Sequence, residues 1–152
     1  MQMCIRIILA LPFLILLPPL QAAEGLVDLQ SQFSVQETID RYAAAAEKAG
    51  MRIFTRVDHA AGAAGVGKPL RPTTLLIFGN PKVGTELMLG DQRAGIDLPM
   101  KALAWQDAEG KVWLSYNQPD YLFRRHHIDG REKIQAKMTG ALAKFAKAAT
   151  QP

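Results

Sequence analysis

The chain has 152 residues, 49% hydrophobic and 21% charged, with one cysteine, Cys4, and a formal net charge of +4. A lone cysteine excludes a disulfide framework and a cysteine-ligated metal centre, and this length predicts one compact domain with its own core. The basic excess sits mainly in Arg124-Arg125 and between Arg131 and Lys147, spaced by acidic and apolar residues without interleaved aromatics. That pattern fits a solvated helical face better than a nucleic-acid surface, so no nucleic-acid partner is expected.

Residues 1–23 begin with one positive charge, Arg6, continue through an apolar stretch over 7–17 and end near Gln21-Ala22-Ala23. This is the pattern of a cleavable secretory signal peptide. Pro12 interrupts the run and Pro18-Pro19 stops it, too early for a span of about 20 residues. The expected location is therefore the periplasm or the medium, with no membrane span after cleavage. The expected mature protein is a single domain over 24–152. It loses Cys4, and it retains 17 of the 18 Lys and Arg (Arg6 departs) against 14 Asp and Glu, a balance of +3.

Residues 26–30 alternate apolar and polar, and Ser34-Val35-Gln36-Glu37 is a capping box that starts a helix. Val35, Ile39, Tyr42, Ala43 and Ala46 form its apolar stripe, and Gly50 ends it. A strand follows over 52–58, with Ile53, Thr55 and Val57 on one face and Phe54, Arg56 and Asp58 on the other. The alanine- and glycine-rich segment 59–67 reads as a helical turn or tight loop. Residues 73–78 are almost continuously apolar, which predicts a central strand buried on both faces. Gly79-Asn80-Pro81 ends it, with Asn80 as N-cap and Pro81 as first residue of a short helix to about Leu89.

Gly90 stops that helix, and a loop with Gly95-Ile96-Asp97-Leu98-Pro99 leads into an antiparallel hairpin, 101–107 with 111–116, turning at Asp107-Ala108-Glu109-Gly110. Pairing Gln106 with Lys111 would place Ala104 opposite Trp113 and Leu103 opposite Leu114. Asn117 to Pro119 caps another short helix through His127, and Asp129 to Glu132 reads as a second capping box. The last helix carries Ile134, Met138, Leu142 and Phe145 on one stripe and should pack on the sheet. No repeat, low-complexity tract or linker divides the chain.

The combination of Ser34-Val35-Gln36-Glu37-Thr38-Ile39, Ile53 to His59 with Ala60-Ala61-Gly62, Leu75 to Pro81 with Gly84-Thr85, Gly95 to Pro99, Val112 to Asn117 and Arg125-His126 resembles the bacterial and archaeal domain-of-unknown-function 302 family. The similarity covers about residues 34–128. It implies a two-layer α+β domain, a largely antiparallel sheet with helices packed on one face, and a homodimer. It implies no activity. His127 beside His126 leaves open which of the two matches the family's position.

The candidate site gathers Asp58 and His59 at a strand end, Asn80 at a strand-to-helix turn, Asp97 in a loop, and His126 or His127 after the last strand. Histidine serves as base or metal ligand near neutral pH, which makes His59 and His126 the candidate metal ligands. Three histidines and no mature cysteine supply few ligands for a zinc or copper centre. Adjacent His126 and His127 point about 100° apart on a helix, so one at most shares a site with His59. A noncovalent haem against Phe78, Met88 or Met100 is another use of the same imidazoles; covalent attachment is excluded by the absence of Cys-x-x-Cys-His. The methionines at 51, 88, 100 and 138 read first as adaptable core filler.

Asn80-Pro81-Lys82, with Lys68 and Arg71, could draw an anion to a helix N-terminus, although Gly-Asn-Pro is also simply a good turn. No phosphate loop, dinucleotide fingerprint or Gly-x-Ser-x-Gly elbow is present, and Ser115 lacks the strained setting of a nucleophilic serine. The expectation is a small-ligand or cofactor-binding dimer; the alternatives are a hydrolytic or redox enzyme using His59 as base, and a structural or partner-binding dimer.

Overall fold

The computed structural model describes residues 24–152, so the leader expected over 1–23 lies outside the described residues. In chain order the elements are β1 (Leu26–Ser31), α1 (Val35–Lys48), β2 (Arg52–Asp58), α2 (His59–Gly65), β3 (Thr73–Gly79), α3 (Pro81–Met88), a 3-10 turn (Gln92–Ile96), β4 (Met100–Gln106), β5 (Val112–Asn117), α4 (Pro119–Arg125) and α5 (Glu132–Thr150). The strands form one sheet in the order β1-β5-β4-β3-β2, with every neighbouring pair antiparallel. The expected α+β architecture is the observed one.

One face of the sheet is covered because α1 and α5 each present a single apolar stripe to it. From α1 come Val35, Ile39, Tyr42, Ala43 and Ala46; from α5 come Leu142, Phe145, Ala146 and Ala149. They meet Leu76, Phe78, Ala102, Ala104, Leu114 and Tyr116, the alternate residues of β3, β4 and β5. Tyr42 sits edge-on to Phe78 and Phe145, centroids 5.2 and 5.8 Å away. Each such large side chain stabilises the fold by about 1.5–3 kcal/mol on burial. A second apolar cluster, Leu87, Ala94, Leu122, Phe123 and Ile128, joins α3, the 3-10 turn and α4.

The helix-start chemistry is partly as expected. Ser34 Oγ accepts from the Glu37 amide at 3.2 Å, but among the described residues Glu37 makes no return bond, so the capping box is half formed. Thr38 replaces it, donating to the Ser34 carbonyl at 2.8 Å and meeting Ser31 Oγ at 2.7 Å, which ties the end of β1 to α1. At α5 the expected cap at Asp129 is displaced. Gly130 takes a left-handed φ of 70°, the helix begins at Glu132, and Glu132 Oε1 accepts from the Gly130 amide at 3.1 Å.

Three expectations about the sheet are corrected. First, β2 does not keep one alternation. Ile53 pairs with Phe78 but Thr55 with Ile77, so a bulge at Phe54 turns Ile53 toward the helices and Thr55 and Val57 away from them. Second, β3 is buried on one face only. Leu76 and Phe78 are fully buried under the helices, while Leu75 and Ile77 are half-buried on the side that α1 and α5 leave open. Third, the hairpin register is shifted by one: Gln106 pairs with Val112, Trp105 with Trp113 and Ala104 with Leu114.

The turn explains the shift. The Asp107 amide donates to the Lys111 carbonyl at 2.9 Å, the Gly110 amide to the Asp107 carbonyl at 3.2 Å, and Gly110 adopts φ 79°. This is a turn closed by a left-handed glycine bulge, which consumes one more residue than simple pairing does. A one-residue slip exchanges the two faces, so the two tryptophans stand side by side.

Candidate functional site

A cavity of about 430 Å³ opens at the end of the sheet where β3 runs into α3, within the size range of small-molecule sites. Its floor is Phe78 and Phe145, the strand end Gly79 and the α3 backbone form one wall, and Ile134, Met138 and Ala141 of α5 form the other. The bulge that reverses β2 places Phe54 on its edge. Gly84 keeps the α3 wall low: a Cβ there would lie 3.9 Å from Leu98 Cδ1. Met51, Met88, Met100 and Met138 all line the cavity, which is every methionine of the described residues. Lys82, Glu86 and Lys137 stand exposed at its rim, and among the described residues none of the three has an ion-pair partner.

Of the five predicted site residues, Asn80 lies at this cavity. It caps α3, its Oδ1 accepting from the Lys82 amide at 3.0 Å and its Nδ2 donating to the Gly50 carbonyl at 3.3 Å. Asp97 and His126 are brought together: His126 Nε2 lies 2.6 Å from Asp97 Oδ2, with the imidazole 6% exposed. Arg125 Nη1 stands 3.5 Å from the other Asp97 oxygen. This pair pins the loop that carries Leu98 and Pro99, two cavity-lining residues, to the C-terminal end of α4. At the loop's start Asp91 is pulled down to about 2 by hydrogen bonds from the Arg93 side chain and then the Arg93 amide.

Asp58 and His59 stand elsewhere. Arg52 is paired with Gly79 but Asp58 with Thr74, so Asp58 lies a strand length of about 20 Å from the cavity end. Its carboxylate caps α2, accepting from the Ala61 amide at 2.9 Å, and His59 is the exposed first residue of that helix. The five residues therefore do not converge. Among the described residues no group of three or more His, Cys, Asp or Glu could hold a metal ion, and His59 and His126 lie at opposite ends of the sheet.

The haem reading divides in the same way. Phe78, Met88 and Met100 do line one cavity, but no histidine lines it with them. His127, exposed at φ 48°, is the left-handed residue after α4. The anion idea also separates. Arg71 donates to the Gln106 carbonyl at 3.0 Å, and Lys68 precedes β3, whereas Lys82 follows it.

The fold and site define a class: a two-layer α+β domain with an apolar, methionine-lined cavity at one end of its antiparallel sheet. The chain belongs to the family described as "Domain of unknown function DUF302", matched over residues 27–145, a longer stretch than the 34–128 resemblance. It is similar to the "Fluoride-specific ion channel FluC 1" of Brucella suis biovar 1, 48% identical over 135 residues that cover 85% of this chain and 53% of that protein. It is similar to the same degree to the "Fluoride-specific ion channel FluC 2" of Brucella melitensis biotype 1, with 85% of this chain and 50% of that protein covered. The chain spans about half the length of the curated relatives it matches. Its fold is similar to the crystal structure of an uncharacterized conserved DUF302 protein from Bacillus stearothermophilus, with a TM-score of 0.75 at 18% identity, over 84% of this chain and 99% of that one.

Residue-by-residue reading missed the α5 wall and Lys137. The signal that could have found the cavity was the methionines: Met51, Met88 and Met100 stand at the ends of elements, and Met138 stands on the stripe of α5.

Proposed function

We propose that this protein is an exported binding protein for a small amphiphilic molecule, whose apolar body occupies the cavity between α3 and α5 and whose polar end meets Lys82 and Lys137 at the rim. The observation that carries the reading is the convergence of all four methionines of the described residues on one void. Methionine is unbranched and polarisable, so a wall built from it adapts to an apolar guest at little strain. Two lysines against one glutamate at the mouth favour a guest with an anionic group.

The test is fluorescence titration with an anilinonaphthalene sulfonate, which combines fused apolar rings with one anionic group. Met138→Trp fills the void from the α5 side and should abolish saturable dye binding while the fold survives. Lys82→Ala with Lys137→Ala should weaken it about tenfold or more. Dye binding unchanged by Met138→Trp would overturn the reading. Export is tested separately, by N-terminal sequencing of the protein from a periplasmic fraction; an intact Met1 would refute cleavage of residues 1–23.

The Brucella relatives favour a second reading of the same domain. The region they share with this chain makes up about half of each protein named as a fluoride-specific ion channel, and among the described residues here no helix is long and apolar enough to cross a membrane. On that reading the domain serves beside a membrane channel. Deleting it should then alter growth in fluoride, and unchanged growth would remove the support.

A further inference from the structure

The cavity between α3 and α5 is drawn out along α5. That helix lines it with Ile134, Lys137, Met138, Ala141, Leu142 and Phe145, on successive turns of one side. Lys137 is exposed at the mouth and Phe145 is 2% exposed at the floor. At 1.5 Å per residue the helix rises about 12 Å between them, a depth that suits a chain-like guest.

Below the rim no lining side chain offers a free hydrogen bond. The polar side chains that line the cavity are Asn80, Lys82, Thr85, Glu86 and Lys137, and all but Asn80 are exposed. Asn80 is used on both atoms, Oδ1 by the Lys82 amide and Nδ2 by the Gly50 carbonyl. A hydroxyl, amide or ring oxygen carried inside would therefore give up water and gain no side-chain partner. The buried part of the guest is hydrocarbon, and walls of unbranched, polarisable methionine follow a flexible chain at little strain.

The mouth sets the charge of the other end. Lys82 on the α3 wall and Lys137 on the α5 wall, set against Glu86, leave a balance of one positive charge. The start of α3 adds no anion cradle. Its Lys82 amide is taken by Asn80 Oδ1, its Val83 and Gly84 amides both reach the Asn80 carbonyl at 3.0 and 2.9 Å, and Pro81 has no amide to give. A phosphate monoester, with a charge of about −1.5 to −2 near neutrality, exceeds what this mouth neutralises. A single carboxylate matches it.

We propose that the guest is an unbranched, medium-chain fatty acid, its hydrocarbon chain laid along α5 toward Phe145 and its carboxylate held at Lys82 and Lys137. This rests on the reading of the cavity as a binding site for a small amphiphile. With C–C bonds of about 1.5 Å advancing in a zigzag, a depth of about 12 Å takes about ten carbons.

Displacement of the anilinonaphthalene sulfonate by straight-chain alkanoates of six to sixteen carbons tests it on the purified protein. Affinity should rise about fourfold with each added CH₂ and level off near decanoate. Decanol and decyl phosphate should each bind about tenfold or more weaker than decanoate. Lys137→Glu, on the exposed mouth, should remove the preference for decanoate over decanol. Ala141→Phe blocks the interior one turn short of Phe145 and should move the plateau to chains about four carbons shorter; should it fail to fold, the wild-type length series and Lys137→Glu answer without it. Dye that binds in the cavity, as its loss in Met138→Trp shows, but is not displaced by any alkanoate would overturn this inference and leave the broader reading standing. Affinity indifferent to chain length, or decyl phosphate binding more tightly than decanoate, would overturn it as well. Absence of saturable dye binding to the wild type would remove both.

Discussion

At one end of the β2–β3 pair Asp58 caps α2 and His59 stands in solvent; at the other Asn80 caps α3 beside a cavity of about 430 Å³. Both ends use the same chemistry, a short polar side chain accepting from a backbone amide two or three residues on. Only one end has α5 crossing it, and α5 supplies the far wall. A cap orders a strand-to-helix turn; a site needs a third element, distant in sequence, that closes over the turn without filling it.

The largest effect expected from this contrast is at the floor of the cavity. Phe145 is 2% exposed and joins α5 to Tyr42, so Phe145→Ala should lose about 3–5 kcal/mol in denaturant unfolding. A much smaller loss would mean that the void relaxes and α5 is not the rigid wall described here. His126→Ala should cost about 1–3 kcal/mol, because Asp97 is left without the partner that pins its loop. It should also broaden dye binding, which a purely local loss would leave intact.

Gly84→Ala sharpens the comparison from the opposite sign. The position lies inside α3 at an ordinary helical φ, and the added methyl meets only Leu98 at van der Waals distance. It should stabilise the protein by about 0.5–1 kcal/mol, read as a higher midpoint, and narrow the cavity enough to weaken dye binding. Stabilisation without weaker binding would place the guest away from α3.

Asp107 adds a smaller, pH-dependent effect outside both ends. The Trp113 indole, followed by the Lys111 and Glu109 amides, lowers its pKa below the ordinary carboxylate value. Its contribution is thus complete above the unfolded value of about 3.9 and is lost as pH falls through the lower folded value. The stability gap between the wild type and Asp107→Asn should be constant near neutrality and close in acid; a gap that widens in acid would refute the assignment. The smallest effect belongs to His59→Ala, expected to change stability by less than about 0.5 kcal/mol and dye binding not at all.

Much of the fold was legible residue by residue. The helix starting after Ser34, the strand 52–58, the Asn80-Pro81 turn and the α5 stripe all follow from short-range rules and all stand in the structure. The Trp105–Trp113 pairing was not, because a left-handed Gly110 bulge inserts one residue that an alternation count does not see. Nor was the division of the predicted site. Asp58, His59, Asn80, Asp97 and His126 share one property, polar residues at element ends, and a five-stranded sheet has two ends. Asp97 and His126 lie 29 positions apart and meet only because α4 folds back over the loop.

Caps, alternation and turn residues act across a few bonds, so the amino-acid sequence by itself determined the elements, their order, the α+β class and the family. Tertiary structure alone decided that four scattered methionines face one void, that one sheet face is covered and the other left apolar and open, and that His59 is remote from His126. Those outcomes depend on where distant helices come to rest, and packing over such separations is set by the whole core rather than by any local pattern.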